Sequence, residues 1–125
     1  EQRVRPAWSF QWMLRLLDVV GALEGRGYPP VSGEMVLAVE DALFPENRGP
    51  WRVVAERGGE AVQPAETGDS GGDRVRPISI GTLSSLYSGF LSAYDAVGLG
   101  LVDEAEAPGL ARLFAGPAPW MHDFF

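Results

Sequence analysis

The first half of the chain carries the apolar patterns of β-strands. Residues 8–17 mix aromatic and aliphatic side chains with few breaks, which predicts an opening strand. Met35, Leu37 and Val39 alternate with Val36, Ala38 and Glu40, which predicts a half-buried strand over residues 35–40. Residues 51–56 and 61–64 flank a Gly-Gly pair that supplies the positive φ of a tight turn, so they predict a hairpin. A last short strand is expected at residues 76–80.

Capping residues followed by apolar positions three or four apart predict a series of short helices. Asp18 is placed to cap the first, which runs to about Arg26. Thr82 is placed to cap the second, and Ser92 to cap the third. Pro108 suits the first position of a helix and starts the last one. The second helix is expected to face the core through Leu83, Leu86, Tyr87 and Phe90.

This order of elements is typical of an α+β fold. We expect a mainly antiparallel sheet of about five strands with short helices packed on one face. A length of 125 residues suits one domain, so residues 1–125 are predicted to form a single unit. No apolar run approaches the roughly 20 residues that cross a bilayer, and no membrane span is expected.

The charged residues narrow the possible functions. The formal net charge is −7, and an acidic surface should repel phosphate backbones, so nucleic acid is not an expected partner. A small cationic molecule is the better electrostatic match. All ten positive residues are arginines, which excludes a Schiff-base lysine and the lysine of a phosphate-binding loop. The chain has no cysteine and one histidine, so no metal site is expected, and a reducing, cytoplasmic location is permitted.

The last ten residues form an unusual chain end. Residues 117–119 are Pro-Ala-Pro, a stiff segment that costs little entropy to order. Trp120 and the two closing phenylalanines each contribute about 2 kcal/mol if buried, so this tail is expected to dock. A docked tail holds the terminal carboxylate of Phe125 at a fixed place. Partial burial raises the pKa of such a carboxylate and suits it to accept a proton.

Two other tail residues are candidates for substrate contacts. Asp123 is either a solvated tail acid or a group that binds a substrate ammonium beside the carboxylate of Phe125. Trp120 either fills the core or lines a substrate cleft. Among the other aromatic residues, Trp8, Trp12 and Trp51 are expected in the core or between domains, and Tyr87 and Tyr94 in the core with bonded hydroxyls.

Four segments in order form a recognisable set. They are residues 13–19 (MLRLLDV), 45–51 (PENRGPW), 83–89 (LSSLYSG) and 118–125 (APWMHDFF). Together they resemble the landmarks of the C-terminal domain of the enhanced intracellular survival protein family of N-acetyltransferases. The resemblance runs nearly from end to end of the chain.

This resemblance implies a sterol carrier protein-like α+β fold that follows two acetyl-CoA-dependent acetyltransferase domains, so the chain is expected to be a piece that is inactive alone. It implies that the terminal carboxylate, here on Phe125, is the general base for the amine acceptor, which includes aminoglycosides. Members of the family assemble as homo-oligomers. The acetyl-CoA loop pattern, Gln or Arg followed by x-x-Gly-x-Gly or Ala, does not occur here. We therefore expect acetyl-CoA to be used by the missing domains and no cofactor to bind this one.

A second hypothesis from a different class stays open. Sterol carrier domains can open a tunnel between sheet and helices, so the chain could be a stand-alone module that binds a lipid or another apolar ligand. An interior filled by side chains would count against this alternative.

Overall fold

The computed structural model describes residues 13–28, 33–56, 59–64 and 75–115. Within them lie helices and strands in mixed order, which confirms the expected α+β class. The α-helices are α1 (Val19–Gly25), α2 (Ile80–Ser88), α3 (Ala93–Gly98) and α4 (Ala107–Leu113). The strands are β1 (Gly33–Leu37), β2 (Val39–Glu40), β3 (Trp51–Glu56), β4 (Gly59–Pro64) and β5 (Ile78–Ser79). Single 3₁₀ turns occur at Pro45–Asn47 and Glu104–Glu106.

The described strands divide between two sheets. In the larger sheet β3 is central and antiparallel to both neighbours, and its Val53 lies opposite Met35 of β1 and Val62 of β4. The smaller sheet is the parallel pair β2 and β5. The chain changes sheet at Ala38, whose carbonyl accepts from the N–H of Ile78 at 2.9 Å. The predicted single sheet of about five strands is therefore not confirmed.

The predicted hairpin is confirmed, since β3 and β4 pair from Trp51 opposite Pro64 to Glu56 opposite Gly59. Along β1 and β3, alternate side chains point to the core, among them Leu37, Val53 and Ala55. On the other face Arg52 Nε lies 3.1 Å from Glu34 Oε1. The burial follows the two-residue period of a strand.

The core connects the inner face of the larger sheet with the helices. α4 lies against β1, and α1 lies against β4. A methyl group added at Gly109 of α4 would lie 3.3 Å from Met35 Sδ, so the small residue permits close packing of helix on sheet. Each fully buried leucine contributes about 2 kcal/mol. The largest such side chains are Leu23, Leu83, Leu86 and Leu110.

The caps of two helices are those expected from the sequence. Asp18 accepts from the N–H of Gly21 at 2.9 Å at the start of α1, and Ser92 caps α3 by accepting from Asp95 at 3.1 Å. Thr82 is not the cap of α2, because the helix starts earlier and Ser79 accepts from the N–H of Thr82 at 3.1 Å. Pro108 lies inside the first turn of α4, which begins at Ala107.

Two aromatic residues predicted in the core are exposed. α2 ends at Gly89, whose φ of 79° requires the conformational freedom of glycine. Phe90 therefore lies beyond the helix and is 74% exposed, while Leu83 and Leu86 are buried as expected. Tyr94 on α3 is 62% exposed.

Tyr87 is half-buried, and its hydroxyl donates to Ala22 O at 3.1 Å, which confirms a bonded phenol. Trp51 is half-buried in β3 and donates from Nε1 to Asn47 O at 2.9 Å. Trp8 and Trp12 lie outside the described residues.

The predicted opening strand is not present where the structure describes it. Residues 13–17 form neither strand nor helix, and residues 8–12 lie outside the described part. Instead of joining a ladder, the N–H of Leu16 donates to Ser84 Oγ of α2 at 3.0 Å. Leu16 is buried, whereas Met13 and Leu17 on either side are exposed. Hydrogen bonds such as this one and the burial of Leu16 thus hold the segment in place of a strand pairing.

Candidate functional site

The three site residues predicted from the sequence, Trp120, Asp123 and Phe125, lie outside the described residues. The structure does describe the residues at the end of α4, Phe114 and Ala115, which come before them in the chain. We therefore build the candidate site from the residues that hold the end of α4 in place.

α4 brings Phe114 to the core. Leu110 and Leu113 lie on the buried side of the helix, and Ala107 at its start is fully buried. Phe114 ends the helix with its N–H on Leu110 O at 2.9 Å, and it is only 7% exposed. Apolar residues at helical spacing thus carry the chain to a fixed position before Ala115, which is exposed.

Arg26 connects Phe114 to the rest of the fold. Its Nε and Nη2 donate to Tyr87 O at 3.3 and 3.2 Å, and Nη2 also donates to Phe114 O at 3.4 Å. The guanidinium carbon lies 5.4 Å from the centre of the Tyr87 ring and 5.3 Å from that of Phe114. Both distances are within the range of cation–π attraction. We call Arg26, Tyr87 and Phe114 the Arg26 clamp.

A cavity of about 160 Å³ lies beside the Arg26 clamp, between α3 and α4. Its lining is mostly apolar and includes Leu91, Tyr94, Leu110 and Phe114, with Ser92 as a polar member. A cavity of this size with an apolar lining admits a group of about the size of benzene. Because Ala115 also lines it, the cavity adjoins the place where the described chain ends.

A second set of polar side chains holds the first described residues, those before α1. Asp41, which follows β2, is 3% exposed, and Asn47 in the 3₁₀ turn is 2% exposed. Arg15 Nη2 donates to Asp41 Oδ1, and Asn47 Nδ2 donates to Asp41 Oδ2 at 2.9 Å. The N–H groups of Leu43 and Phe44 donate to the same carboxylate at 2.9 and 3.2 Å. We call Arg15, Asp41 and Asn47 the Asp41 cluster.

Burial of Asp41 opposes its ionisation, but the hydrogen bonds from Asn47 and Arg15 and from two backbone N–H groups outweigh it. They hold the pKa of this carboxyl well below its usual range. An ionised carboxylate whose oxygens already accept four hydrogen bonds is poorly suited to donate or accept a proton. The Asp41 cluster is therefore structural.

Asn47 ties this cluster to the segment before α1. Its Oδ1 accepts from the N–H of Val19 at 3.0 Å, and its Nδ2 donates to Leu17 O at 3.1 Å. Since Asp41 is among its partners too, one amide side chain joins the start of α1 to the residue that follows β2. The polar residues among positions 41–50 indicate a turn, and no local pattern marks Asn47 as buried.

Two acidic runs of the sequence, at residues 40–41 and 103–106, do not form a metal site among the described residues. Glu40 is exposed while its neighbour Asp41 is buried, so the pair does not share a site. In the second run, Asp103 Oδ1 accepts from Arg76 Nη1 at 2.9 Å, and Glu106 Oε1 accepts from the N–H of Arg76 at 3.3 Å.

The described residues contain no helix with the length and apolar character of a membrane span.

Comparison with known proteins gives the family. A model of the sterol carrier protein domain matches residues 19–122. An uncharacterized N-acetyltransferase of Streptomyces coelicolor is 34% identical over 129 residues, which covers 98% of this chain and 30% of that protein. This chain thus spans less than a third of the length of the curated relative it matches.

Solved structures agree with the sequence matches. The crystal structure of a GCN5-related N-acetyltransferase from Anabaena variabilis aligns with a TM-score of 0.76 at 32% identity, covering 89% of this chain and 28% of that one. The Eis1 protein of Mycobacterium abscessus aligns with a TM-score of 0.64 at 24% identity, covering 85% of this chain and 26% of that one. The second likeness shows a shared fold.

Proposed function

This chain belongs to the sterol carrier protein domain family, and we propose that it is the C-terminal domain of an acetyl-CoA-dependent amine N-acetyltransferase. The proposal rests on the length of this chain compared with the length of the relative that it matches. A named N-acetyltransferase matches 98% of this chain, whereas the chain covers only 30% of that protein. Other domains on the same chain are therefore plausible, and we assign acetyl-CoA binding and acetyl transfer to them.

The part that we assign to this domain is proton removal. An amine attacks an acyl carbon through its lone pair, so a protonated acceptor must first lose a proton. We assign that proton to the terminal carboxylate of Phe125, which is the group that the resemblance to the enhanced intracellular survival family points to. The Arg26 clamp supports this role, because it holds Phe114 eleven positions before the chain end of the given sequence.

The acceptor that we propose is a cationic amine, with aminoglycosides as one class. A net charge of −7 attracts polycations and raises their local concentration at low ionic strength. Within the tail, Asp123 would bind a substrate ammonium, and Trp120 would line the acceptor cleft. The homo-oligomer and the cytoplasmic location expected from the sequence remain predictions.

The alternative of a lipid-binding module receives less support from the described residues. Two of the cavities that they line measure about 160 and 10 Å³. Ligand pockets usually measure about 300 Å³ or more. Neither of these two cavities has room for a fatty chain. We develop the acetyltransferase proposal because a relative that covers 98% of this chain is an N-acetyltransferase.

The test is made in the full-length protein by adding one glycine after Phe125. The extension moves the carboxylate while it keeps every side chain, and we expect kcat/KM for an amine acceptor to fall about 100-fold or more. The matched control is Phe125→Leu, which changes the side chain and keeps the carboxylate in place, so a much smaller loss is expected. Unchanged turnover in the extended protein would refute the proposal.

A further inference from the structure

Arg26 binds the C-terminal ends of two helices at once. The carbonyl of Tyr87 lies in the last turn of α2, and that of Phe114 is on the residue that ends α4. Carbonyls at helix C-termini have no partner within their own helix and carry part of the negative end of the helix dipole. Arg26 donates to both carbonyls, at 3.2 and 3.4 Å. A single guanidinium therefore satisfies acceptors of two helices that are separate in sequence.

The aromatic rings hold the same guanidinium by a different interaction. Tyr87 and Phe114 place ring centres 5.4 and 5.3 Å from its central carbon. The Tyr87 ring is itself fixed, because its hydroxyl donates to Ala22 O of α1 at 3.1 Å. Phe114 is thus held through its backbone oxygen and through its ring, and two such contacts restrain orientation as well as position.

We propose that Arg26 is a positioning residue that sets the direction in which the chain leaves α4 toward the catalytic carboxylate. This inference rests on the proposed role of Phe125. Eleven residues from Phe114 reach at most about 36–40 Å. Phe114 is the point from which these residues start, so a displacement of Phe114 moves their origin, and a misplacement of reacting groups by about 1 Å can reduce a rate about 100-fold.

The experiment compares four forms of the full-length protein: wild type, Arg26→Gln, the protein with one glycine added after Phe125, and the combination of both changes. We expect Arg26→Gln to lower kcat about tenfold and to change KM for the amine less than about twofold. In the extended protein the carboxylate is already displaced, so adding Arg26→Gln should lower kcat no further. A residue that acts only through stability would instead lower kcat by the same factor in both backgrounds.

Two further variants control for charge and for folding. Arg112 lies in the last turn of α4 and is exposed, so Arg112→Gln removes a positive charge from the same helix end without touching the Arg26 clamp. Its kcat should stay within about twofold of wild type. Arg26→Lys keeps the charge beside the rings but loses the guanidinium fork, and an intermediate kcat is expected. If Arg26→Gln does not fold, the lysine variant carries the comparison.

Hydrogen exchange supplies a measurement that does not depend on activity. The N–H of Phe114 is bonded to Leu110 O at 2.9 Å, and its exchange should become faster in Arg26→Gln while exchange in the β3–β4 hairpin stays unchanged. Unchanged exchange at Phe114 would overturn the anchoring on which the inference depends.

The outcomes separate the two proposals. If the added glycine abolishes turnover and Arg26→Gln leaves kcat unchanged, Arg26 is not a positioning residue and the proposed function stands. Additive losses would likewise overturn the inference. If the added glycine leaves turnover unchanged, the proposed function fails, and exchange at Phe114 then decides alone whether Arg26 holds the end of α4.

Discussion

The Asp41 cluster and the Arg26 clamp hold opposite ends of the described chain with different chemistry. In the Asp41 cluster a buried carboxylate binds an arginine, an amide and two backbone N–H groups. In the Arg26 clamp the charge is on an arginine, and its partners are carbonyl oxygens and aromatic rings, which are neutral. The first arrangement depends on the ionisation of an acid, and the second does not.

The two also differ in burial, which sets their expected energies. Asp41 and Asn47 are nearly inaccessible to water, so a partner that loses its hydrogen bond there stays unsatisfied. Arg26 and Tyr87 are half-buried, and water can replace part of what a substitution removes. We therefore expect larger losses of stability from the Asp41 cluster than from the Arg26 clamp.

The largest effect is expected from Asn47→Ala. The change leaves the N–H of Val19 and the carbonyl of Leu17 without their partner, and an unsatisfied buried group costs about 1–3 kcal/mol. The free energy of unfolding should fall by about 3 kcal/mol in urea denaturation of the 125-residue chain. Gln63→Ala, which removes an exposed amide from β4, is the control and should cost less than about 0.5 kcal/mol.

A smaller loss is expected from Arg26→Ala. The variant loses two cation–π contacts and its hydrogen bonds to the carbonyls of Tyr87 and Phe114, at a half-exposed site. We expect the free energy of unfolding to fall by about 2 kcal/mol. Arg112→Ala in α4 is the control, with an expected loss of about 0.5 kcal/mol. A loss for Arg26→Ala equal to that for Asn47→Ala would contradict the ranking by burial.

Two neighbouring serines of α2 allow the anchoring of Leu16 to be tested separately from effects on the helix itself. Ser84 and Ser85 each donate to the carbonyl four residues earlier, but only Ser84 also accepts the N–H of Leu16. Ser84→Ala leaves that buried N–H unsatisfied and should lower the free energy of unfolding by about 1.5 kcal/mol. Ser85→Ala is the matched control and should be close to neutral. Equal effects in urea denaturation would show that Leu16 does not depend on this bond.

The elements that the sequence predicted correctly are those with local signals. The Asp18 cap and its partner Gly21 are three residues apart, as are Ser92 and Asp95. The β3–β4 hairpin likewise follows from two apolar runs and a turn between them. The prediction of Thr82 as the cap of α2 was wrong, because the helix starts directly after strand β5 and Ser79 is the capping residue.

The residues that the sequence did not predict have partners far along the chain. Arg15 contacts a carboxylate 26 positions away, and Arg26 donates to a carbonyl 88 positions away. No pattern within one helix or strand encodes such pairs. The family was nevertheless identified from ordered landmarks, and the sterol carrier protein match over residues 19–122 confirms it. The site residues Trp120, Asp123 and Phe125 remain predictions.

The smallest expected effect is a change in stability that appears only at acid pH. It tests directly whether the Asp41 cluster depends on an ionised acid and the Arg26 clamp does not. The folded-state pKa of Asp41 is lowered, so its ionised form stabilises the fold fully above its unfolded pKa of about 4. As pH falls below that value, the unfolded chain takes up the proton first, and this stabilisation is lost. The difference in unfolding free energy between wild type and Asp41→Asn should therefore be constant from about pH 5 to 8 and shrink below about pH 4.

The groups that contact Arg26 are backbone carbonyls and aromatic rings rather than a carboxylate, so the cost of Arg26→Ala should show no such decrease. Glu40→Gln, beside Asp41 in sequence but exposed, is the control for a general effect of removing an acid. Urea denaturation of all four proteins at pH 3.5, 4.5, 6 and 7.5 makes the comparison. If the cost of Arg26→Ala shrinks in acid as much as that of Asp41→Asn, the two ends of the chain are not held by different chemistry.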